Sequence, residues 1–402
     1  MIKKIAIKNL APGMFVHSVT KQRGQFKIKN QGWVRTSDSI SQLINAGILE
    51  VEIDTDKTLP DDNQDSTSST TNAHSQAQKQ RYDPTQHSVS VSSEIGKAEK
   101  LYTEAKSLQE KAIESIRAGK KIAIGPFEEV ADGFIDSIFR NQDALACMTR
   151  IREKDAYLLE HSINVSVLMT IFAKHLHIER DIMHQMATGA LLHDIGKIKI
   201  QDEILNKPGK FTDDEFIQMK DHARFSKEIL EESGLSGVAV DIAAYHHERL
   251  DGRGYPFGLK GDDIPQHVRM IAIVDVYDAL TAKRVYKDGM NPINAFKIIK
   301  DDTPNCFDTE LVNQFIKCIG IHPVGTLVKL KSQKLGIVSQ SNFDNPLKPW
   351  VKTFYSAKHH HHTEVKDINL ADKHNQDELE SAIKPEDFAI DLMRFFRNSV
   401  LS

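Results

Sequence analysis

The sequence predicts a mainly α protein: an all-helical body with a small α+β unit on its N-terminal side and a small β-extension on its C-terminal side. Three observations predict it. Between about residues 125 and 320, apolar residues recur every three or four positions, the period of helices that bury one face. Short β-branched runs separated by polar turns gather toward both ends. From 56 to 93 the apolar residues are too few and too aperiodic to be buried.

Residues 1–55 form the N-terminal unit, a regulatory module in this reading. Ile5 to Ile7, Gly13 to Val19 and Ile48 to Ile53 have strand character, and Thr36 or Ser37 can cap a short helix that Gly47 ends. Residues 56–93 are a disordered linker, because so little burial cannot offset the entropy of ordering it. The helical body runs from 94 to 325. Its entry helix carries a narrow seam of Ala98, Leu101, Ala105, Leu108 and Ala112. The plain reading packs that seam on its own domain. The sharper reading makes it a short signalling or dimer helix, implying a homodimer or a signalling-protein partner. Residues 326–402 supply the β-extension, with strands at Thr326 to Leu330, Gly336 to Ser339 and Trp350 to Tyr355. Pro385 then opens a last helix carrying Phe388, Leu392 and Phe396. The run His359 to His362 reads as a solvated loop tract.

Charge narrows the function classes. A net charge of −4, with 27% charged and 40% hydrophobic residues, points away from a nucleic-acid polymer or an anionic membrane as a constant partner. A small anionic ligand needs only a local basic patch. No uncharged run reaches the length of a membrane span, and Lys8 and Asn9 interrupt any signal-peptide core. Three scattered cysteines, Cys147, Cys306 and Cys318, suit a reducing compartment. The expected location is cytoplasmic.

The chemistry lies in histidines and aspartates placed within apolar helical stretches. They are His161, the adjacent pair His193 and Asp194, then His222, the pair His246 and His247, and Asp275. Polar groups facing a core need partners, and a metal gathers five histidines and two aspartates where a hydrophobic core would reject them. Adjacent helical positions diverge by about 100°, so each pair can serve two ions or one ion at two angles. A carboxylate has two oxygens, so Asp194 can bridge. Mixed imidazole and carboxylate ligation suits iron, manganese or zinc rather than an all-oxygen or thiolate site. Any one of these histidines alone would read as an ordinary core residue; their company carries the inference.

Around these residues the sequence resembles the HD-GYP family, a branch of the HD metal-dependent phosphohydrolases. The markers occur in order: His161-Ser162, LLHDIGKI at 191–198, ILNKPGKFT at 204–212, MKDH ending at His222, HHERLDGRGYPFGL at 246–259 and VDVYDALTAKRVYK at 274–287. The resemblance covers roughly residues 145–325. The N-terminal unit, with its APGMFV strand, more weakly resembles a domain of unknown function often found before such modules.

This resemblance implies two divalent transition-metal ions, iron or manganese. His161, His193, Asp194 and Asp275 would hold one, and Asp194, His222, His246 and His247 the other. It implies a catalytic role for Asp194 and Lys197, and substrate contacts at Gly254, Tyr255, Pro256, Arg284 and Lys287. The role of Arg284 requires the helix carrying Asp275 to end between them, since nine residues place them on opposite helix faces. Asp278 shares a face with Asp275 and is expected behind a ligand rather than on the metal. Some family members hold a third metal with a glutamate four residues before the first ligand histidine; here that position is Tyr157, so two metals are expected. The implied substrate is a cyclic dinucleotide: cyclic di-GMP, hydrolysed to pGpG and onward to GMP, or 3′,3′-cyclic GMP-AMP. Two further alternatives are an HD phosphohydrolase acting on a linear nucleotide, against which the complete GYP region speaks, and a catalytically silent receptor, whose usual mark, degenerate ligands, is lacking.

Overall fold

The structure, a computed structural model, describes residues 2–10, 14–22, 32–33, 48–54, 88–150, 157–282, 289–342 and 345–388. The chain divides into two compact units, Met1–Arg81 and Tyr82–Ser402.

In the first unit, β1 (Ile2–Ala6), β2 (Phe15–Gln22), β3 (Gly32–Trp33) and β4 (Ile48–Asp54) form an antiparallel sheet in the order β1-β4-β2-β3. Period-two alternation along β4 turns Val51 and Ile53 into a small core with Ile7, Leu10 and Val16. Glu50 and Glu52 alternate with them; Glu50 pairs with Lys4 at 2.6 Å and Glu52 accepts from Ser18. The helix expected between Thr36 and Gly47 and the linker residues 55–87 lie outside the described residues.

The second unit opens with α1 (Val91–Arg117), which starts ahead of Glu94 because Ser90 caps it, its hydroxyl accepting the Ser93 N–H at 3.2 Å. Ala98, Ala105 and Ala112 are buried within this unit, so the plain reading of the seam holds. In α2 (Gly125–Met148) the backbone breaks at Asn141, at φ −161 and ψ 103. The Asn141 side chain accepts from Asp143 N at 3.0 Å and donates to Val89 O at 2.8 Å, capping the second half and tying down the α1 approach.

Eight helices follow: α3 (Tyr157–His175), α4 (Arg180–Leu192), α5 (Asp202–Leu205), α6 (Asp213–Glu232), α7 (Val238–Tyr245), α8 (Gln266–Thr281), α9 (Pro292–Asp301) and α10 (Thr309–Ile319). α3 is buried on every side from Glu160 to Lys174, which makes it the central helix. α8 is nearly as enclosed, and Tyr277 on it stacks on Phe296 while meeting Phe315 edge-on. α6 begins with a capping box in which Thr212 and Glu215 satisfy each other's backbone N–H groups.

A five-stranded antiparallel sheet closes the unit: β5 (Leu327–Leu330), β6 (Lys334–Gln340), β7 (Trp350–Ser356), β8 (His361–Asn369) and β9 (Leu379–Ala382), in the order β8-β7-β6-β5-β9. Val328, Leu335, Val338, Val351 and Phe354 belong to the same hydrophobic core as the helices. Ser341 reinforces the join, its N–H and hydroxyl donating to the two oxygens of buried Asp143 at 3.1 and 3.2 Å. The histidine run forms the β7–β8 turn and the first residues of β8, so half of it is strand rather than loop. Pro385–Phe388 is a 3-10 turn, while Leu392 and Phe396 lie outside the described residues. The architecture is mainly helical with small sheets toward both ends, as the sequence predicts. Among the described residues no helix is long and apolar enough to cross a membrane.

Candidate metal centre

Five helices deliver the polar cluster. His161 lies one turn into α3. His193 ends α4, and Asp194 follows at φ −96, ψ 4 as the chain enters a 3-10 turn, Ile195–Lys199. His222 sits midway along α6, His246 ends α7 with His247 next to it, and Asp275 lies inside α8. The chain can cross so close here because Gly196 has no side chain: a Cβ there would lie 2.1 Å from His222 O and 2.4 Å from Ser226 N.

Three of the histidines are fixed in the same way. The Nδ1 atoms of His193, His222 and His246 meet the carbonyls of Ala190, Met219 and Ala243, each three residues back, at 2.7, 2.7 and 3.0 Å. A carbonyl only accepts, so Nδ1 carries the proton and Nε2 is left as a lone-pair donor facing the cluster. His161 is held by carboxylates instead: Nδ1 lies 2.8 Å from Asp278 and Nε2 2.9 Å from Asp275.

Asp194 is central. Its Oδ2 lies 3.7 Å from His161 Nε2 and 3.5 Å from His193 Nε2, while its Oδ1 lies 3.4 Å from His222 Nε2 and 3.8 Å from His246 Nε2. One carboxylate therefore presents one oxygen to each of two imidazole pairs. Asp275 completes the first side, 3.9 Å from His193 Nε2; its other oxygen lies 3.8 Å from His247 Nδ1. Lys197 forms a close ion pair with Asp194 Oδ2.

The electrostatics favour cation binding. Burial and the nearby Lys197 ammonium push His222 down to about 4, and burial takes His247 to about 3, against the pull of Asp275. Burial also lowers His193 and His246. At His161 burial is outweighed by hydrogen bonds to Asp275 and Asp278, which raise it to about 9. Burial would raise Asp194, yet Lys197 and the surrounding imidazoles hold it well below the usual carboxylate range. Four of the five imidazoles are thus neutral beside an ionised Asp194, the protonation states that metal ligation requires, while His161, held charged by its two carboxylates, would release a proton as a cation binds.

The fit to metal rests on the donors. His193 Nε2 and Asp194 Oδ1 are buried without any hydrogen-bond partner, which is costly unless a cation completes them. Three ligand sets converge with their atoms within 4.8 Å: His161, His193 and Asp275; His193, Asp194 and His246; and His222, His246 and His247.

The loop from His247 to Leu259 forms one wall. Glu248, buried at 2% exposure, accepts backbone N–H groups from Phe257 at 2.8 Å, Gly258 at 3.1 Å and Leu259 at 2.9 Å. Gly254 is pressed against that backbone, where a Cβ would lie 2.5 Å from Glu248 Cα. Tyr255 N–H donates to His247 O at 3.2 Å, and the Tyr255 and His247 rings lie 4.6 Å apart. Pro256 follows through a cis peptide bond. Sequence reasoning missed Glu248. The available signal was a carboxylate directly after two adjacent ligand histidines, in a segment rich in glycine whose backbone donors need an acceptor. Asp278 lies behind His161, as expected. α8 ends at Thr281, which meets the condition set for Arg284, but Arg284 and Lys287 themselves lie outside the described residues, as does the Tyr157 side chain.

A helical domain that surrounds a histidine and aspartate cluster with an HD pair at a helix end is an HD-type metal-dependent phosphohydrolase fold. The HD domain family model matches residues 144–311, and the domain of unknown function DUF3391 matches residues 2–127. Over 369 residues the chain is 34% identical to a cyclic di-GMP phosphodiesterase of Pseudomonas aeruginosa, covering 89% of this chain and 86% of that one. It is 48% identical over 135 residues to a probable cyclic di-GMP phosphodiesterase of Vibrio cholerae, 32% of this chain and 31% of that one. It is 34% identical over 170 residues to a 3′3′-cGAMP-specific phosphodiesterase of the same organism, 42% of this chain and 37% of that one. The chain belongs to the HD-GYP family.

Proposed function

We propose that this chain is a cyclic dinucleotide phosphodiesterase that opens cyclic di-GMP to linear pGpG, with GMP as the product of a second cut. The observation that carries this reading is Asp194, whose two oxygens face two separate imidazole pairs. Such a carboxylate suits a pair of cations. His161, His193, Asp194 and Asp275 would hold one ion, and Asp194, His222, His246 and His247 the other. Iron or manganese matches this donor set. Bound there, divalent ions would supply Lewis acidity, acidifying water and neutralising charge that builds on a phosphate.

The chain's own groups would position and discharge the substrate. Lys197, paired with Asp194, would neutralise a phosphate oxygen and deliver a proton to the departing ribose 3′ oxygen. Gly254, Tyr255 and Pro256 form the wall against which the substrate lies. Burial raises the Tyr255 phenol above its ordinary value, so it stays protonated and serves as a hydrogen-bond donor. Arg284 and Lys287, just past the end of α8, would pair with the substrate phosphates.

A second substrate, 3′,3′-cyclic GMP-AMP, is favoured by the 34% identity to the V. cholerae enzyme specific for it. Turnover of both dinucleotides by protein loaded with manganese or iron, with products separated by ion-pair chromatography, tests the reading. Cleavage of cyclic di-GMP to pGpG supports it, and faster cleavage of the mixed dinucleotide reassigns the substrate. Tight binding without turnover by fully metal-loaded protein would replace enzyme with receptor.

A further inference from the structure

Beside the metal centre, a row of aromatic rings leads out to solvent. The Tyr255 ring lies 4.6 Å from the His247 ring and 6.3 Å from the His222 ring. On its outer side Phe216 meets Tyr255 edge-on, with ring centroids 6.3 Å apart. Phe216 is 45% exposed, so it is a large apolar ring kept at the surface beside a strongly polar cluster. The Lys220 ammonium, one helical turn along α6, lies 4.7 Å from the Phe216 ring and 5.8 Å from the Tyr255 ring. Among the described residues no carboxylate pairs with Lys220.

Exposure alone does not set Phe216 apart, since Ile217 and Phe257 are exposed as well; its place at the outer end of the ring row that reaches His247 and His222, with Lys220 beside it, does. A ring standing open, two ring contacts from the phosphodiester-cleaving centre and beside a cation, fits a flat heteroaromatic group joined to a phosphate. Nucleobases stack on such rings whatever their identity, because every base has a π-face. Lys220 adds a positive charge that both a base face-on to the ring and a phosphate would favour.

We infer that Phe216 is the stacking platform for one nucleobase of the cyclic dinucleotide, with Lys220 bracing the base and its phosphate. This inference rests on the phosphodiesterase reading and extends it to how the substrate is held. Stacking made equally with substrate and transition state strengthens binding without changing the chemical step.

The test compares metal-loaded wild type, Phe216→Ala and Phe216→Trp, using cyclic di-GMP and an analogue with one guanine replaced by 2-aminopurine, whose fluorescence is quenched by stacking. Phe216→Ala should raise KM roughly tenfold, within the range seen for loss of one base–aromatic contact, with kcat little changed and the quenching lost. Phe216→Trp should retain both the quenching and the wild-type KM. Because Phe216 is exposed, metal content and melting temperature should match wild type in both variants. An unchanged KM and undiminished quenching in Phe216→Ala overturn the platform while leaving the phosphodiesterase reading intact. Failure of the wild type to bind or cleave either dinucleotide overturns both.

Discussion

The carboxylate of Asp278 lies 2.8 Å from Nδ1 of His161, while Asp275, one turn earlier on the same helix, lies 2.9 Å from Nε2. The ring is aimed from one side and offered to the cluster from the other. Asp278→Asn should keep the fold but slacken that aim, lowering metal affinity about 10- to 100-fold, the usual cost of losing a partner behind a ligand. Metal titration followed by calorimetry checks it. An affinity equal to wild type would make Asp278 a bystander.

Asp194→Asn should abolish hydrolysis and strip the site of metal, since an amide neither bridges two cations nor balances their charge. Elemental analysis alongside a turnover assay measures both. Retention of two metals and full activity would contradict the bridging role.

Glu248→Ala should leave three backbone N–H groups of the 257–259 segment without their acceptor. The expected loss of stability is about 3 kcal/mol, with a fall in kcat/KM as the wall carrying Tyr255 loosens. Glu248→Gln, which keeps an acceptor oxygen, should lose much less. Hydrogen exchange over residues 255–259 should report the loosening directly.

The second unit should stand alone, but its starting point matters. A chain beginning at Ser88 keeps the Ser90 cap and the Asn141 bond to Val89 O, and should fold with basal phosphodiesterase activity. A chain beginning at Glu94 loses both, and should be less stable by about 1 to 2 kcal/mol. Thermal melts of the two truncated chains compare them. An insoluble Ser88 chain would make the N-terminal unit part of the catalytic body.

Lys174 provides a pH-dependent stability test away from the metal centre. It is 2% exposed and donates to Ile138 O at 2.9 Å. Burial takes its ammonium down from 10.5 to about 8, against partial support from Asp143. Below about pH 8 it is charged in both folded and unfolded chains. Between about 8 and 10.5 the unfolded chain binds the extra proton, so stability rises with pH. Relative to Lys174→Met, wild type should gain on the order of 2 to 3 kcal/mol across that window. Denaturant melts at pH 7.5 and 10.5 read the difference, and a flat difference would remove the titration.

The parts legible in the sequence were those with strong periodicity or unusual company. The seven polar residues from His161 to Asp275 stood out because helical apolar stretches surround them, and the structure gathers all seven. β8 was missed because it is an edge strand facing solvent, where charged residues such as Glu364, Lys366 and Asp367 mask any alternation. The sequence pattern starts α1 only at Glu94, because Ser90, Ser92 and Ser93 resemble the polar linker before them, although Ser90 is the cap. Glu248 escaped notice because its partners are backbone amides, and a single sequence does not show where a loop will need an acceptor.

In the C-terminal sheet β5, the first strand made, is flanked by β6 on one side and by β9, the last, on the other. During synthesis the ladder on that second side has nothing to zip to until Leu379 has left the ribosome. Because Leu379 and Ile383 pack on the core that the sheet shares with the ligand-bearing helices, a chain cut short before β9 would carry every metal ligand yet leave one edge of β5 unpaired and that side of the core uncovered by them. Completion of the catalytic body is thereby tied to translation of a segment that contributes no ligand to it.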